Sequence, residues 1–515
     1  MVSPSMPAPA AHLKPGLPAI PGSDLLKNPR ILPILNVLLA LSLLLSGCAS
    51  APAADTPQPD TSLVELIPTP AAEFTPIPTR APFQPGELVE YIAQTGDTLP
   101  ALAAHFNTTE AEIRAANPII PQDATSMPPG FPMQIPIYYQ ALWGTPYQII
   151  PDWLFINGPS QVGFNTSEFI KQHEGWLKTY VEPGFEGSRS AAVSIDLVAK
   201  NFSISPRLLL AMLEYQSQGL SNPVRPNTDY FLGYENNNYK SLYLQLIWAA
   251  NTLNNGYYGW RRGSLREFEA PDGRILRPDP WQNAASVSLQ YFYSRMYTSP
   301  IYDQIIGAGG LAQTYASLFG DPWQTVAIHI PGSLRQPEFS LPFENGKSWN
   351  YTGGPHTGWG LGEPFSAIDF APAGVSGCDL TDEWIVAIAD GQVIRSETGI
   401  VVLDLDGDGQ EGTGWVIFYL HVSSAERATV GQSIPAGGRI GHPSCEGGSS
   451  TGTHVHISRK YNGEWILADG PLAFNLEGWV AGRGGQAYQG TLTRYSRTIT
   501  ASTSAEGKSL IKAGE

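Results

Sequence analysis

Two histidines separated by one residue, His454 and His456, flank Val455 within the stretch Gly448–Ile457. Apolar neighbours and a preceding Gly/Ser loop predict a strand entered from a turn. Side chains alternate along a strand, so residues two apart share a face. Both imidazoles then enter one site at a spacing fixed by the backbone. A neutral imidazole is a transition-metal ligand and a proton acceptor near neutral pH. The pair therefore suits a metal ligand beside a catalytic partner, with zinc as the candidate ion. A catalytic zinc takes about three protein ligands and keeps one position open, so other residues must complete the site.

Few residues nearby qualify. His356 sits in the turn-rich loop Gly353–Gly358, and Asp369 in the otherwise apolar Ser366–Pro372. A carboxylate in such surroundings needs a partner or a metal. His421 follows the apolar run Trp415–Leu420, whereas His442 lies in a Gly-Pro loop and reads as a loop residue. Apolar alternation at 384–389, 391–394, 400–403, 414–420 and 454–458, with turns between, predicts an antiparallel β domain over residues 335–485. Residues 486–515 read as a frayed polar tail.

The chain has 515 residues, enough for about three domains. Its 53 glycines and 45 prolines, with only 15% charged residues, favour loop-rich modules and linkers over a helical bundle. The net charge of -16, without a basic stripe or tail, argues against a nucleic-acid partner. Three cysteines occur, Cys48, Cys378 and Cys445. Lys27 and Arg30, the apolar run Ile31–Leu45 and small residues before Cys48 read as an export signal, too short for a membrane span of about 20 residues. Leu45-Ser46-Gly47-Cys48 resembles the bacterial lipobox, which implies cleavage before Cys48 and lipid on its sulfur; a simple N-terminal membrane anchor is the alternative. Either places residues 49–515 outside the cytoplasm. The basic flank stands far from Met1, so a later start codon is compatible with the pattern. Cys378 and Cys445 are expected to pair as a disulfide in an exported protein, with two buried thiols as the alternative. Residues 49–86, rich in Ala, Pro and Thr, read as an extended linker.

Residues 87–139 read as strand-helix-helix-strand, with Thr98 and Thr108-Thr109 as helix caps. Tyr91, Gly96-Asp97-Thr98-Leu99, Asn117-Pro118, Pro129-Gly130 and Ile135-Pro136 resemble a LysM module, which implies binding to N-acetylglucosamine-containing glycans such as peptidoglycan. Residues 150–330 look mostly helical, with Ser205 as a cap, Pro206 at the first helical position and further helices at 241–253 and 284–296. Ile204–Ser217 resembles the lysozyme-like lytic transglycosylases. Gln216 stands where that family has its catalytic Glu, and Glu214 lies about 200° away around a helix. The expectation is a degenerate lysozyme-like module, against an unrelated helical spacer. Tyr257-Tyr258-Gly259-Trp260 could line a sugar groove or be core.

In the β domain, His356, Ile368-Asp369-Phe370, Ala389-Asp390-Gly391-Gln392-Val393, Tyr419-Leu420-His421, Pro435-Ala436-Gly437 with Ile440-Gly441, and His454-Val455-His456 resemble the M23 metallopeptidases, the lysostaphin-like and LytM-like family. Most members place the first His four residues before the Asp, where this chain has Phe365. His356 lies 369 − 356 = 13 residues before Asp369, closer to the LasA-like branch. The resemblance implies that His356, Asp369 and His456 bind one Zn²⁺, with His421 and His454 flanking the reacting water. It implies a cell-wall endopeptidase cutting peptidoglycan cross-links in the bacterial envelope, lipid-anchored to the membrane. The alternative is a non-enzymatic wall-binding scaffold or amidase activator. Asp404, Asp406 and Asp408 alternate as in a calcium loop, but Trp415 occupies the twelfth position where Glu is expected. The readings are a solvated acidic turn or a Ca²⁺ site. The resulting fold class is multidomain: a small α+β module, a mostly α module and a C-terminal antiparallel β domain.

Overall fold

The computed structural model describes residues 82–140, 143–184, 187–504 and 507–515. The expected export signal, Cys48 and most of the expected linker lie outside them. Among the described residues no helix is long and apolar enough to cross a membrane.

The first module contains β1 (Glu87–Ile92), α1 (Leu99–His105), α2 (Glu110–Ala116) and β2 (Pro132–Ile137). Thr98 caps α1, and Thr109 forms a capping box with Glu112 at the start of α2. β1 and β2 pair antiparallel and close over Tyr91, Leu102, Phe106, Ile113 and Ile135.

The middle module is mostly helical. It includes α3 (Ala191–Phe202), α4 (Pro206–Ser217), α5 (Leu242–Arg261) and α6 (Ala284–Ser294). The Ser205 hydroxyl accepts the Leu208 N–H at 3.2 Å, and Pro206 occupies the first turn of α4. The predicted helix at 241–253 runs on to Arg261, because residues 256–261 are buried almost all round. Tyr257, Tyr258 and Trp260 are therefore core, not groove. The Glu214 carboxylate caps the turn after α4, accepting from Leu220 N at 2.8 Å and Ser221 Oγ at 2.6 Å.

The third module is built on a nine-stranded sheet. Its strands are β3 (Ser348–His356), β4 (Ala367–Pro372), β5 (Gly391–Glu397), β6 (Gly399–Asp404), β7 (Trp415–Val422), β8 (Ser433–Ile434), β9 (Val455–Tyr461), β10 (Glu464–Trp465) and, after a second sheet, β15 (Leu510–Lys512). The order is β8-β5-β6-β7-β9-β4-β3-β15, with β10 folded back on β9. The second sheet joins β11 (Asn475–Leu476), β12 (Trp479–Arg483), β13 (Gly490–Arg494) and β14 (Arg497–Thr500). The expected frayed tail over 486–515 is thus corrected. Polar residues there alternate with Leu492, Ile499 and Ile511, which are buried, and β15 pairs with β3. An amphipathic strand needs only one apolar residue in two, so its composition looks like that of a tail.

Alternation sorts the main sheet into two faces. Ile400, Val402, Val416, Phe418 and Leu420 join the core of the helical module. Val401, Ile417, Tyr419, Val455 and Ile457 build the core beneath the other face. Arg261 at the end of α5 ties the modules together. It meets Asp152 and Glu464 at 3.1 Å each and donates to the carbonyl of Thr95. Nearby, the ring of His105 on α1 stacks on Trp260 at 3.5 Å and its Nε2 donates to the Trp260 carbonyl at 3.0 Å.

Burial pushes His105 down from an ordinary value of 6.5 to about 3. The unfolded chain takes the proton first, so the stability His105 contributes is complete above pH 6.5 and falls as pH drops toward 3. Chemical denaturation at pH 7 and pH 4.5 is expected to show this loss, and His105→Gln to reduce the difference between the two.

Candidate metal centre

β9 supplies His456, whose neighbours across the sheet are Leu420 on β7 and Asp369 on β4. Asp369 in turn faces Gly353 on β3. Residues opposite one another share a face, so the register alone brings Asp369 beside His456. A Cβ at Gly353 would stand 2.4 Å from Asp369 Oδ2, so this position must lack one.

His356 arrives differently. β3 and β4 form a hairpin in which His356 pairs with Ala367, with register shifts on either side of Gly353. Thirteen residues of chain are thereby folded back to bring His356 to Asp369. The connecting loop is held by α5: Leu361 N donates to Asn251 Oδ1 at 2.6 Å, and Glu363 N to Asn255 Oδ1 at 2.8 Å. Arg262 closes an ion pair with Glu363 at 2.8 Å.

The three side chains present one atom each to a common point. His356 Nε2 lies 3.0 Å from His456 Nδ1, and each lies 3.3 Å from Asp369 Oδ1. The other ring nitrogens are committed to carbonyls. His356 Nδ1 donates to Gly354 O at 2.8 Å and His456 Nε2 to Gly358 O at 3.1 Å. A carbonyl only accepts, so these nitrogens carry the protons and the inward-facing ones carry lone pairs. Asp369 Oδ1 is buried without a hydrogen-bond partner. Three lone pairs therefore converge in a buried place with no proton between them. That arrangement is repulsive unless a cation sits among them. Zinc fits: tetrahedral bonds of 2.0–2.1 Å separate ligand atoms by roughly 3.3–3.4 Å. Burial keeps His456 below its ordinary value. For Asp369, burial pushes upward, but the positive charge that His356 and His454 carry when protonated outweighs it and holds the carboxyl well below its usual range.

His421 reaches the same place by an irregularity. Leu420 pairs with Ile400 and Val422 with Gly399, leaving His421 as an extra residue with φ of 66°. Leu420 already occupies the face opposite His456, so strict alternation would turn His421 away. The bulge turns it back. Its Nδ1 donates to Glu446 O at 2.8 Å. His454 Nδ1 donates to Gly452 O at 2.8 Å. Both residues thus keep Nε2 as a lone-pair acceptor, with ring centroids 4.4 Å apart. His454 Nε2 is 3.9 Å from Asp369 Oδ2. Burial, then the neighbouring imidazoles of His454 and His456, push His421 down to about 3, so it stays neutral.

The loop before His454 is fastened twice. Cys378 and Cys445 are disulfide-bonded, with Cα atoms 5.7 Å apart. Thr453 N donates to Gly377 O at 2.6 Å and Thr453 Oγ1 to Asp379 O at 2.7 Å. His442 stays outside the centre, bonded to Glu383 O at 2.9 Å and to Glu426 at 3.2 Å. One neighbour is missed by sequence reasoning. Tyr488 stacks on His356 at 4.1 Å, and Gly354 N donates to its carbonyl at 2.8 Å. It belongs to the segment that reads as a tail, and nothing in its local sequence marks it.

The acidic turn between β6 and β7 does not support the calcium expectation. Asp404 accepts from Asp406 N and Gly409 N, Asp406 from Asp408 N, and Asp408 from Gln410 N and Thr413 Oγ1. The carboxylates are engaged in closing the turn itself, as in Asx turns.

Comparison with known proteins follows the same division. Residues 91–136 match the family model of the LysM domain. Residues 148–332 match that of the LasA N-terminal domain, where the sequence suggested a lysozyme-like relic. The chain is 27% identical over 316 residues to Protease LasA of Pseudomonas aeruginosa, covering 57% of this chain and 72% of LasA. It is 30% identical over 166 residues to beta-lytic metalloendopeptidase of Achromobacter lyticus, covering 31% and 41% of the respective chains. Among solved structures, the M23 metalloprotease pseudoalterin aligns with 32% of this chain and 96% of its own, at 24% identity and a TM-score of 0.27.

Adding Zn²⁺ to chelator-treated protein is expected to raise the thermal midpoint, since a ligand at 100 times its Kd stabilises the folded state by about 2.7 kcal/mol. His456→Ala and Asp369→Ala should each remove most of that rise in differential scanning fluorimetry.

Proposed function

We propose that this chain is a zinc metalloendopeptidase that hydrolyses peptide cross-links of peptidoglycan, acting outside the cytoplasm. The observation carrying the reading is the convergence of His356 Nε2, Asp369 Oδ1 and His456 Nδ1 on one point, beside two further imidazoles that keep Nε2 bare. The similarity to metalloendopeptidases and the LysM match support the reaction class and the polymer.

Bound at these three atoms, zinc would polarise the scissile carbonyl and acidify the attacking water. The protein's own part is proton handling. His421 and His454 each hold their ring proton on Nδ1 against a backbone carbonyl, so each can accept a proton at Nε2. Once protonated there, an imidazolium can donate to the developing oxyanion or to the leaving amine. Desolvation keeps His421 neutral. The more exposed His454 is assigned to the substrate side. The LysM-like module would hold the glycan, and a lipid on Cys48 would keep the enzyme at the membrane surface.

Mass spectrometry of muropeptides from purified peptidoglycan incubated with the protein is the direct test. Loss of cross-linked species is expected and should be abolished by chelator. His421→Ala and His454→Ala should each lower the rate by about 10²–10⁴ while retaining zinc. Unchanged muropeptides from a zinc-loaded protein would reject the enzyme and favour a wall-binding scaffold.

A further inference from the structure

Where the LysM-like module meets the helical module, a groove of about 630 Å³ opens to solvent. One wall is the end of β1 and the following loop, residues 90–95, with Pro129 and Gly130. The other carries Trp153, Trp281 and Trp323. Trp153 and Trp323 meet edge to face at 6.5 Å, and Trp281 packs on Phe106 of the LysM-like core at 4.8 Å. Trp323 remains 40% exposed and Ile92 57%. These are large apolar surfaces to leave in water.

The polar side chains lining the groove are amides, carboxylates and the hydroxyls of Tyr91 and Thr95. Gln94 and Gln148 hydrogen-bond to each other at 3.3 Å, and both donate to the Trp281 carbonyl at 3.0 Å. Asn283 is only 5% exposed. Its amide nitrogen donates to Ile150 O and Asp152 Oδ1 at 2.7 Å each, leaving Oδ1 as a buried acceptor without a partner. The lining includes Glu90 and Asp152 but neither Lys nor Arg nor His. A polyanion would be repelled here. An uncharged polyol fits: a pyranose ring offers an apolar face of axial C–H bonds to an indole, and hydroxyl and acetamido N–H groups at its edge to the amide and carboxylate acceptors of the lining.

We propose that this tryptophan groove is a second glycan-binding site, which takes a strand of uncharged N-acetylated sugars along the boundary between the LysM-like and helical modules. It rests on the preceding reading for the choice of polymer. The groove is continuous with the LysM-like module through β1, so a strand held there runs past that module onto the helical one.

Calorimetric titration of the full chain with N-acetylglucosamine hexamer, followed in parallel by tryptophan fluorescence, tests this. Trp153→Ala and Trp323→Ala should each weaken binding by at least about threefold, with unchanged thermal midpoints, and Trp323→Tyr should restore most of it. Hydrolysis of a short soluble cross-link peptide, which has no glycan to bind, should not change in these variants. Wild-type affinity in both alanine variants overturns the site. So does a tryptophan signal that answers a proline-rich peptide but not the hexamer. If the soluble peptide is never cut while the alanine variants still lose hexamer affinity, the peptidase reading fails and the groove stands.

Discussion

Three unshared electron pairs held within 3.3 Å of one another are the constraint on which the C-terminal module is organised. With neutral imidazoles, a buried cluster of this kind sets three acceptors facing one another, which a bound cation relieves. Every nearby device serves to keep it in place. Carbonyls of Gly354 and Gly358 fix both tautomers. The register of β9, β4 and β3 fixes spacing, and Gly353 makes room for the carboxylate. These same devices hold like partial charges close together, an arrangement that favours a cation. Metal affinity is therefore built into the fold's geometry and not left to flexible side chains.

How much of this is legible in the sequence depends on whether the information is local. The period-two rule places His454 and His456 on one face, and an acidic residue in the apolar run 366–372 points to a ligand. In the structure His454 and Asp369 approach to 3.9 Å and His456 and Asp369 to 3.3 Å, so these local signals do bring the residues together. His421 is different. It ends an apolar strand visibly enough, but its direction depends on a bulge opposite Gly399 that no residue count reveals. Tyr488 is invisible for a related reason: its neighbour is set by the pairing of Gly354 with it, between segments 134 residues apart by 488 − 354. The resemblance of the middle module to lysozyme-like enzymes is carried by the single stretch Ile204–Ser217, whose Ser205 cap, Pro206 and apolar face any well-capped buried helix shares. The tail misled because alternating Leu492 and Ile499 among Thr and Arg leave composition polar while filling a core.

Loosely strung modules would be the simplest picture for a wall-binding module attached to an enzyme. The interior argues for a tighter assembly. Arg261 is 7% exposed and faces Asp152 of its own module and Glu464 of β10, so the buried carboxylate of Glu464 meets this guanidinium when the helical module is seated on β10. Thr95 of the LysM-like module adds a carbonyl to the same guanidinium. Breaking such a buried set from one side strands the remaining charges at a cost of about 3–5 kcal/mol. The LysM-like module is held to the same body by buried hydrogen bonds, His105 Nε2 donating to the Trp260 carbonyl and the Thr95 hydroxyl to the Ile330 carbonyl, which independent swinging would break. Any gain from binding wall and cross-link together depends on a fixed angle between the two sites, since effective concentration vanishes when geometry forbids joint engagement.

The same packing places the helical module against the sheet face that carries the candidate metal ligands. Leu420 stands opposite His456 and belongs to the core shared with the helices. Trp359, in the loop between His356 and Asp369, packs on Phe418 at 5.8 Å, and that loop hangs from Asn251 and Asn255 of α5. A long interval between two ligands costs chain entropy and precision unless something pins it. Here a helix from another module does so. The spacing of His356 and Asp369, which looks anomalous when the β domain is considered alone, follows once α5 is counted as part of the centre. The candidate ligand set is thus completed by contacts from outside the domain that contributes it.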